Sequence, residues 1–167
     1  MSRLISCLIV AIPAIAWSAD TSPDHDFFKH AAEGGIAEVE IGNLAQSKGN
    51  SQAVKDFAAM MVKDHTDANA KLKSIAAGES VDLPSSPSAL QVASKTKLQV
   101  LTGDTFDKAY IKNQVTAHKQ TVSLFKKEIA SGTDPKAKAF AKETLPTVQA
   151  HLSKIRDIAA QAGIAIK

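Results

Sequence analysis

Residues 57–72 constrain the fold most, because they have the periodicity of a helix and yet place ionisable side chains on its apolar face. At about 100° per residue, Asp64 and His65 fall on that face. The same face carries Phe57, Met60, Met61, Ala68 and Leu72. A carboxylate and an imidazole are costly to bury unless polar groups satisfy them, so other helices should supply partners at the same depth.

Three further segments show the same helical period and carry signals for where a helix starts or stops. Residues 24–48 form the first predicted helix, with Asp24 as its N-cap. The sequence Gly49-Asn50-Ser51 ends it and caps the second helix, which runs to about residue 77. The third spans residues 104–131 with Asp104 as its N-cap. The fourth starts at the sequence Thr133-Asp134-Pro135 and runs to about residue 162. Together the segments predict an all-α fold, an antiparallel four-helix bundle.

The connection between the second and third long helices differs from the others. Residues 79–103 contain Pro84 and Pro87, several serines and a short amphipathic stretch. Such a connection is too long for two adjacent antiparallel helices. We therefore expect a crossover that spans the length of the bundle and carries a short extra helix.

Composition excludes several classes of function. The chain has 167 residues, 44% of them hydrophobic but only 5% aromatic, which suits one domain of closely packed helices. Its net charge of +3 comes from interspersed lysines and acids, so we expect no nucleic-acid partner and no polybasic membrane patch. The sequence contains no glycine-rich phosphate loop, no His-Glu-x-x-His and no serine elbow, which argues against a hydrolytic or nucleotide enzyme and favours a protein without catalytic residues.

The N-terminus has the pattern of a secretory signal. Residues 1–18 contain Arg3, then an apolar run, then small residues, so we predict a signal peptide removed on export and a single domain over residues 19–167. The apolar run is short for a membrane span of roughly 20 residues, and the mature chain is predicted to have no transmembrane segment. The only cysteine, Cys7, lies in this signal, so no disulfide is expected. We expect an exported, periplasmic protein that associates with the outer membrane or with a partner in the envelope.

One polar layer is predicted inside the bundle. Each long helix carries one ionisable residue near its middle, on or beside its apolar stripe, and these residues are Glu38, His65, His118 and His151. Such a layer is how helical bundles build metal sites. Asp64 is either a further ligand or the acceptor that orients a histidine ring. The set predicts one divalent transition metal, which could be zinc, copper or iron. Glu128 also lies inward, but it is about three turns from His118, so it fits a role at one end of the bundle.

Two other interpretations stay open. A single histidine at the edge of an apolar stripe is usually a hydrogen-bonded packing residue, and each of the three histidines taken alone fits that description. The protein would then act without a metal, as a non-catalytic envelope or stress-related bundle that binds a partner through its crossover and surface.

The sequence resembles the exported bacterial ferritin-like proteins catalogued as domain of unknown function 4142, often labelled predicted outer membrane proteins. The resemblance lies in residues 32–45 (AEGGIAEVEIGNLA), residues 57–65 (FAAMMVKDH), Phe106-Asp107 with Tyr110 and His118, and Leu145-Pro146 with His151-Leu152. These pieces cover nearly the whole mature chain. The resemblance implies a ferritin-like up-down bundle with a long crossover.

The resemblance does not imply ferritin chemistry. Ferritin-type di-iron sites use a Glu-x-x-His pair on each of two helices. Here Val62, Val115 and Val148 stand three residues before the histidines. A ferroxidase centre is therefore not expected, and the fold alone assigns no function.

Overall fold

The computed structural model describes residues 23–166, and these residues form five helices and no strand. The helices are α1 (Pro23–Lys48), α2 (Gln52–Gly78), α3 (Ala89–Gln99), α4 (Gly103–Ser131) and α5 (Pro135–Gln161). The predicted signal peptide, residues 1–18, lies outside the described residues. The predicted all-α fold and the short helix in the crossover are confirmed.

Contacts at the two ends of the bundle give the helix directions. Short turns make α1 and α2 one hairpin and α4 and α5 another, and the two pairs have the most extensive interfaces. The side chain of Asn50, before α2, donates to Asp104 at the start of α4 over 2.8 Å. At the other end, Lys136 of α5 pairs with Glu79, which follows α2. Since α2 and α4 start at the same end, they run parallel on one diagonal, and the crossover spans the length of the bundle as predicted.

Two helix starts follow the sequence signals. The Ser51 hydroxyl accepts a hydrogen bond from the backbone N–H of Val54 over 3.3 Å and caps α2. The Asp134 carboxylate accepts from the N–H of Ala137 over 2.7 Å, and Pro135 takes the first position of α5. A proline costs nothing there because the first N–H groups of a helix have no intrahelical acceptor.

Two predicted caps are wrong, because their carboxylates bind other parts of the chain. The N-cap of α4 is Thr102, and Asp104 lies in the first turn. Asp24 lies inside α1, and its carboxylate accepts from the Thr133 backbone N–H over 2.7 Å, from the Thr133 hydroxyl and from the Asp134 N–H over 2.9 Å. Asp24 therefore ties the start of α1 to the turn between α4 and α5.

The interior consists of two apolar clusters with a polar layer between them. The cluster at the α1–α2 turn includes Phe57, Met61, Phe106, Tyr110, Leu152 and Ile155. The cluster at the opposite end includes Phe27, Phe28, Leu72, Phe125 and Phe140. Between them, each long helix contributes one buried ionisable side chain, and these are Glu38, His65, His118 and His151. Pro146 lies within α5, and the helix continues past it, as the phase of the apolar stripe predicted.

Within residues 23–166, no helix is both long enough and apolar enough to cross a bilayer.

Candidate metal centre

Three histidines from three helices meet at the middle of the bundle. His65 comes from α2, His118 from α4 and His151 from α5. Their ring centroids are 5.5, 5.7 and 5.9 Å apart, and one ring nitrogen of each lies within 4.8 Å of the other two. All three side chains are buried or nearly so. The structure therefore brings together the three predicted imidazoles, a group that could hold a metal ion.

A backbone carbonyl sets the tautomer of His118. Its Nδ1 lies 3.0 Å from the carbonyl oxygen of Gln114, one turn earlier on α4. A carbonyl oxygen only accepts, so Nδ1 carries the proton and Nε2 carries the free lone pair. No residue pattern predicts this contact, because every residue has a backbone carbonyl.

A carboxylate sets the opposite tautomer in His151. Its Nε2 lies 3.0 Å from Oδ2 of Asp64, and this carboxylate oxygen accepts the N–H. The lone pair of His151 is therefore on Nδ1. Of the two roles considered for Asp64, this geometry matches the acceptor that orients a ring.

One ring nitrogen of each histidine has no hydrogen-bond partner. Among the described residues, His65 Nε2, His118 Nε2 and His151 Nδ1 are buried and unpartnered. Buried polar atoms without a partner are rare and each costs about 1–3 kcal/mol. The lone pairs of His118 Nε2 and His151 Nδ1 cannot hydrogen-bond to each other, whereas a cation bound by all three nitrogens would satisfy the whole cluster.

Burial favours the neutral form of His65 and His151. Burial of His65, followed by the nearby His118 and His151 rings, lowers its pKa to about 3. Burial also lowers the pKa of His151, although the hydrogen bond to Asp64 opposes that shift. Neutral imidazole is the form that binds a metal.

Glu38 and Gln114 form a polar pair behind His118. Glu38 is 6% exposed, and its Oε2 accepts from Nε2 of Gln114 over 2.7 Å. Its Oε1 lies 3.9 Å from Nδ1 of His118, on the side of the ring that faces away from the free lone pair. The structure thus places Glu38 in the predicted layer but beside an outward ring nitrogen. Sequence reasoning missed Gln114, whose spacing of four residues from His118 puts both on one face of α4.

The separations fit a metal of ordinary size. Zinc binds imidazole nitrogen at about 2.0–2.1 Å, which puts the nitrogens of a tetrahedral site roughly 3.4 Å apart. The three rings therefore need to close by no more than about 1.4 Å from their 4.8 Å limit. Phe57 packs against two of the rings, with centroids 6.3 Å from His118 and 6.5 Å from His151, and shields that side from water.

Glu128 lies elsewhere, as its place in the sequence predicted. It is 1% exposed at the end of the bundle where α4 meets α5, and neither carboxylate oxygen has a hydrogen-bond partner of good geometry. Burial, followed by the neighbouring carboxylate of Asp24, raises its pKa to about 7. It contributes nothing to the histidine cluster.

Comparisons with known proteins agree with this fold. A family model described as Domain of unknown function (DUF4142) matches residues 12–158. One similar crystal structure is that of a DUF305 protein from Streptomyces coelicolor, which has been proposed to be secreted. It superposes with a TM-score of 0.74 at 15% identity, and the match covers 87% of this chain and 97% of that one. A DUF305 fragment from Deinococcus radiodurans gives the same TM-score at 9% identity, and the match covers 84% of this chain and 97% of the fragment. At these identities the likeness concerns the ferritin-like fold alone. No curated protein matches the sequence.

Proposed function

The chain belongs to the family described as Domain of unknown function (DUF4142), and because that description assigns no activity, we propose a function from the site itself: the protein binds one divalent transition-metal ion. The ligands are His65, His118 and His151. The observation that carries the proposal is the set of three buried ring nitrogens, one from each histidine, that have no hydrogen-bond partner among the described residues. A bound cation satisfies all three at once.

Charge supports a divalent ion. The three imidazoles are neutral ligands, and two carboxylates, Glu38 and Asp64, lie directly behind two of the rings. Their two negative charges balance a charge of +2 at the centre, whereas a buried ion without such balance would be strongly disfavoured. Asp64, which holds the outward ring N–H of His151, also fixes the tautomer of that ligand and raises its basicity.

The ligand set points to zinc, copper or iron. Imidazole nitrogen suits all three metals, whereas magnesium and calcium prefer oxygen ligands. With Val62, Val115 and Val148 in place of the glutamates of a ferritin-type site, the bundle holds too few inward carboxylates for a di-iron centre. We therefore propose a mononuclear site and assign no catalytic residue.

The direct test is metal analysis of protein without an affinity tag. After reconstitution with zinc, copper or ferrous iron and removal of excess metal, wild type is expected to retain one ion per chain. His65→Ala and His118→Ala should each lose most of it. The matched control is His30→Ala, because His30 is an exposed histidine that pairs with Glu33 and is no part of the three-histidine cluster, and this variant should bind as wild type does.

Two results would overturn the proposal. The first is wild type that retains no stoichiometric metal under any of these conditions. The second is equal retention by His65→Ala, His118→Ala and wild type, with circular dichroism showing that all of them are folded. Either result would leave the histidines as packing residues.

A second candidate function is binding of an envelope partner, and exposed apolar side chains favour it. Leu90 is 76% exposed, Val92 48% and Val100 79%, and all three lie on or next to α3 in the crossover. Export of the chain, inferred from its signal-like start, would place this surface in the periplasm. Replacing residues 80–100 should then abolish a cellular phenotype while the bundle stays folded, and His65→Ala should leave the phenotype intact. The reverse pattern would favour the metal.

A further inference from the structure

The bundle contains a cavity immediately beside the histidine layer. It has a volume of about 50 Å³ and lies between α1, α2, α4 and α5. One wall is polar and includes Glu38, His65 and His151. The opposite wall is apolar and includes Leu72, Phe125 and Phe140, which belong to the cluster at the far end of the bundle.

Small residues create this cavity. Ala31 of α1 and Ala68 of α2 face it, at positions where larger side chains would fill the space, whereas Gly35 makes room for the amide of Asn69. Interiors of proteins are normally close-packed, with few voids larger than a water molecule. A void of this size at the level of three unpaired imidazoles is therefore a second feature that packing alone does not explain.

The three histidines leave one side of the site without a protein ligand. They come from α2, α4 and α5, whereas α1 contributes Glu38, which hydrogen-bonds to Gln114 and lies behind His118. Zinc sites with three protein ligands keep a fourth position for an exogenous molecule, and structural sites fill all four with protein. The histidine cluster has three protein ligands and so resembles the sites that keep a fourth position open.

We infer that the cavity receives a small exogenous ligand in the fourth coordination position of the ion held by His65, His118 and His151. The inference rests on the proposed metal site. One water needs about 10–15 Å³, so a cavity of about 50 Å³ accepts a ligand of about three or four non-hydrogen atoms. The ligand class is thus water, hydroxide and small inorganic molecules or anions, and larger organic molecules are excluded.

The polar side chains on the cavity walls differ in what they offer such a ligand. Asn69 lines the cavity and offers an amide donor, whereas the Thr121 hydroxyl already donates to the carbonyl of Ala117. The carboxylates of Glu38 and Asp64 also line the cavity, so a small anion would be held there by the metal ion and not by the walls.

The test uses the full mature chain loaded with Co²⁺, whose visible absorption reports its ligands. Azide, a linear anion of three atoms, is expected to shift the absorption bands with saturation, whereas the larger imidazole should not. Ala68→Leu fills the cavity and should weaken azide binding at least about tenfold, a difference of about 1.4 kcal/mol. Ala70→Leu is the matched control, since Ala70 is exposed two residues away on the same helix, and it should bind azide as wild type does.

The outcomes separate this inference from the proposed function. Co²⁺ content is measured first, and a chain that retains neither Co²⁺ nor zinc, copper or ferrous iron removes both proposals. Should the chain retain zinc but not Co²⁺, calorimetric titration of the zinc form with azide replaces the spectrum. If the chain binds stoichiometric Co²⁺ but azide does not change its spectrum, the small-ligand site alone is overturned. The same holds if Ala68→Leu and wild type bind azide with equal affinity. Should Ala68→Leu fail to fold, Ala31→Leu fills the same cavity from α1 and is expected to give the same tenfold loss.

Discussion

Burial shifts the pKa values of His65 and Glu128 in opposite directions. The pKa of His65 is lowered to about 3, below its ordinary value of 6.5, so the unfolded chain binds this proton more tightly. The pKa of Glu128 is raised from 4.5 to about 7, so the folded chain binds its proton more tightly. Because stability rises with pH wherever the unfolded state holds more protons, the first group favours the native state at higher pH and the second at lower pH. The two effects overlap between about pH 4.5 and 6.5.

The first prediction concerns the protein without metal. Its free energy of unfolding should contain a component that falls as the pH drops below 6.5, because the unfolded chain protonates His65 and the native state does not. Each pH unit removes at most about 1.4 kcal/mol. Denaturant unfolding between pH 4 and 8 in the presence of a chelator, for wild type and His65→Gln, isolates this component. A stability difference between the two proteins that does not change with pH would contradict the assignment.

The second prediction concerns Glu128→Gln. Above pH 7 the wild-type carboxylate is buried, charged and close to Asp24, whereas glutamine is neutral, so the variant should be more stable than wild type by about 1–3 kcal/mol. This advantage should shrink as the pH falls from 7 towards 4.5, where the wild-type group is protonated in the native state. Glu143→Gln is the control, because Glu143 is 67% exposed, and its effect should be small at every pH. A variant advantage that grows at low pH would refute the argument.

The elements of the bundle owe their close contact to small residues, above all at the interface of α1 and α2. A Cβ added at Gly42 would lie 2.8 Å from Val62 Cγ2 and 3.2 Å from the backbone oxygen of Ala58. A backbone atom cannot move aside without shifting the helix. At Gly34 the nearest atom to an added Cβ, Nε2 of Gln91, is 3.8 Å away, an ordinary contact.

The third prediction follows from this contrast. Gly34→Ala should raise the free energy of unfolding by about 1 kcal/mol, because alanine favours the helix and nothing obstructs its methyl group. Gly42→Ala has the same gain in helix propensity but should lower stability by about 1–3 kcal/mol, because α1 and α2 must separate. Chemical denaturation of the two variants and wild type under one condition measures both signs. Stabilisation by Gly42→Ala would show that the helices accommodate the methyl group.

The helices were predictable from sequence because their signals are local. A period of 3.6 residues fixes which side chains face inward, and Ser51 and Asp134 cap helices through contacts three residues away. The same phase predicted that the three histidines share a layer. Asp24 and Asp104 were assigned wrongly as caps because their partners, Thr133 and Asn50, lie far away in the sequence.

The details of the site were less predictable than its members. Which nitrogen of His118 is free depends on the carbonyl of Gln114, and which nitrogen of His151 is free depends on how α2 and α5 align Asp64. Neither contact has a sequence signature. The cavity depends in the same way on how Ala31 and Ala68 meet across two helices.

At the scale of the whole molecule, the site joins the two hairpins. His65 belongs to the α1–α2 hairpin, and His118 and His151 belong to the α4–α5 hairpin. Contacts between α2 and α5 are far less extensive than those within either hairpin, and the long crossover is the covalent link between them. An ion held by all three histidines would therefore add a link between the two hairpins, whose contacts with each other are less extensive than those within either hairpin.

The fourth prediction is that metal raises the melting temperature through this link. The unfolded chain holds the three histidines far apart, so the ion binds the native state almost exclusively and stabilises it by about 2.7 kcal/mol at 100 times the dissociation constant. For a domain of this size that corresponds to a rise of roughly 5–10 °C. Calorimetry with increasing metal should show the rise in wild type and in His30→Ala. His65→Ala removes the only ligand of the first hairpin, so it should melt at the same temperature with and without metal. If its melting temperature rises as much as that of wild type, the ion binds elsewhere and does not join the hairpins.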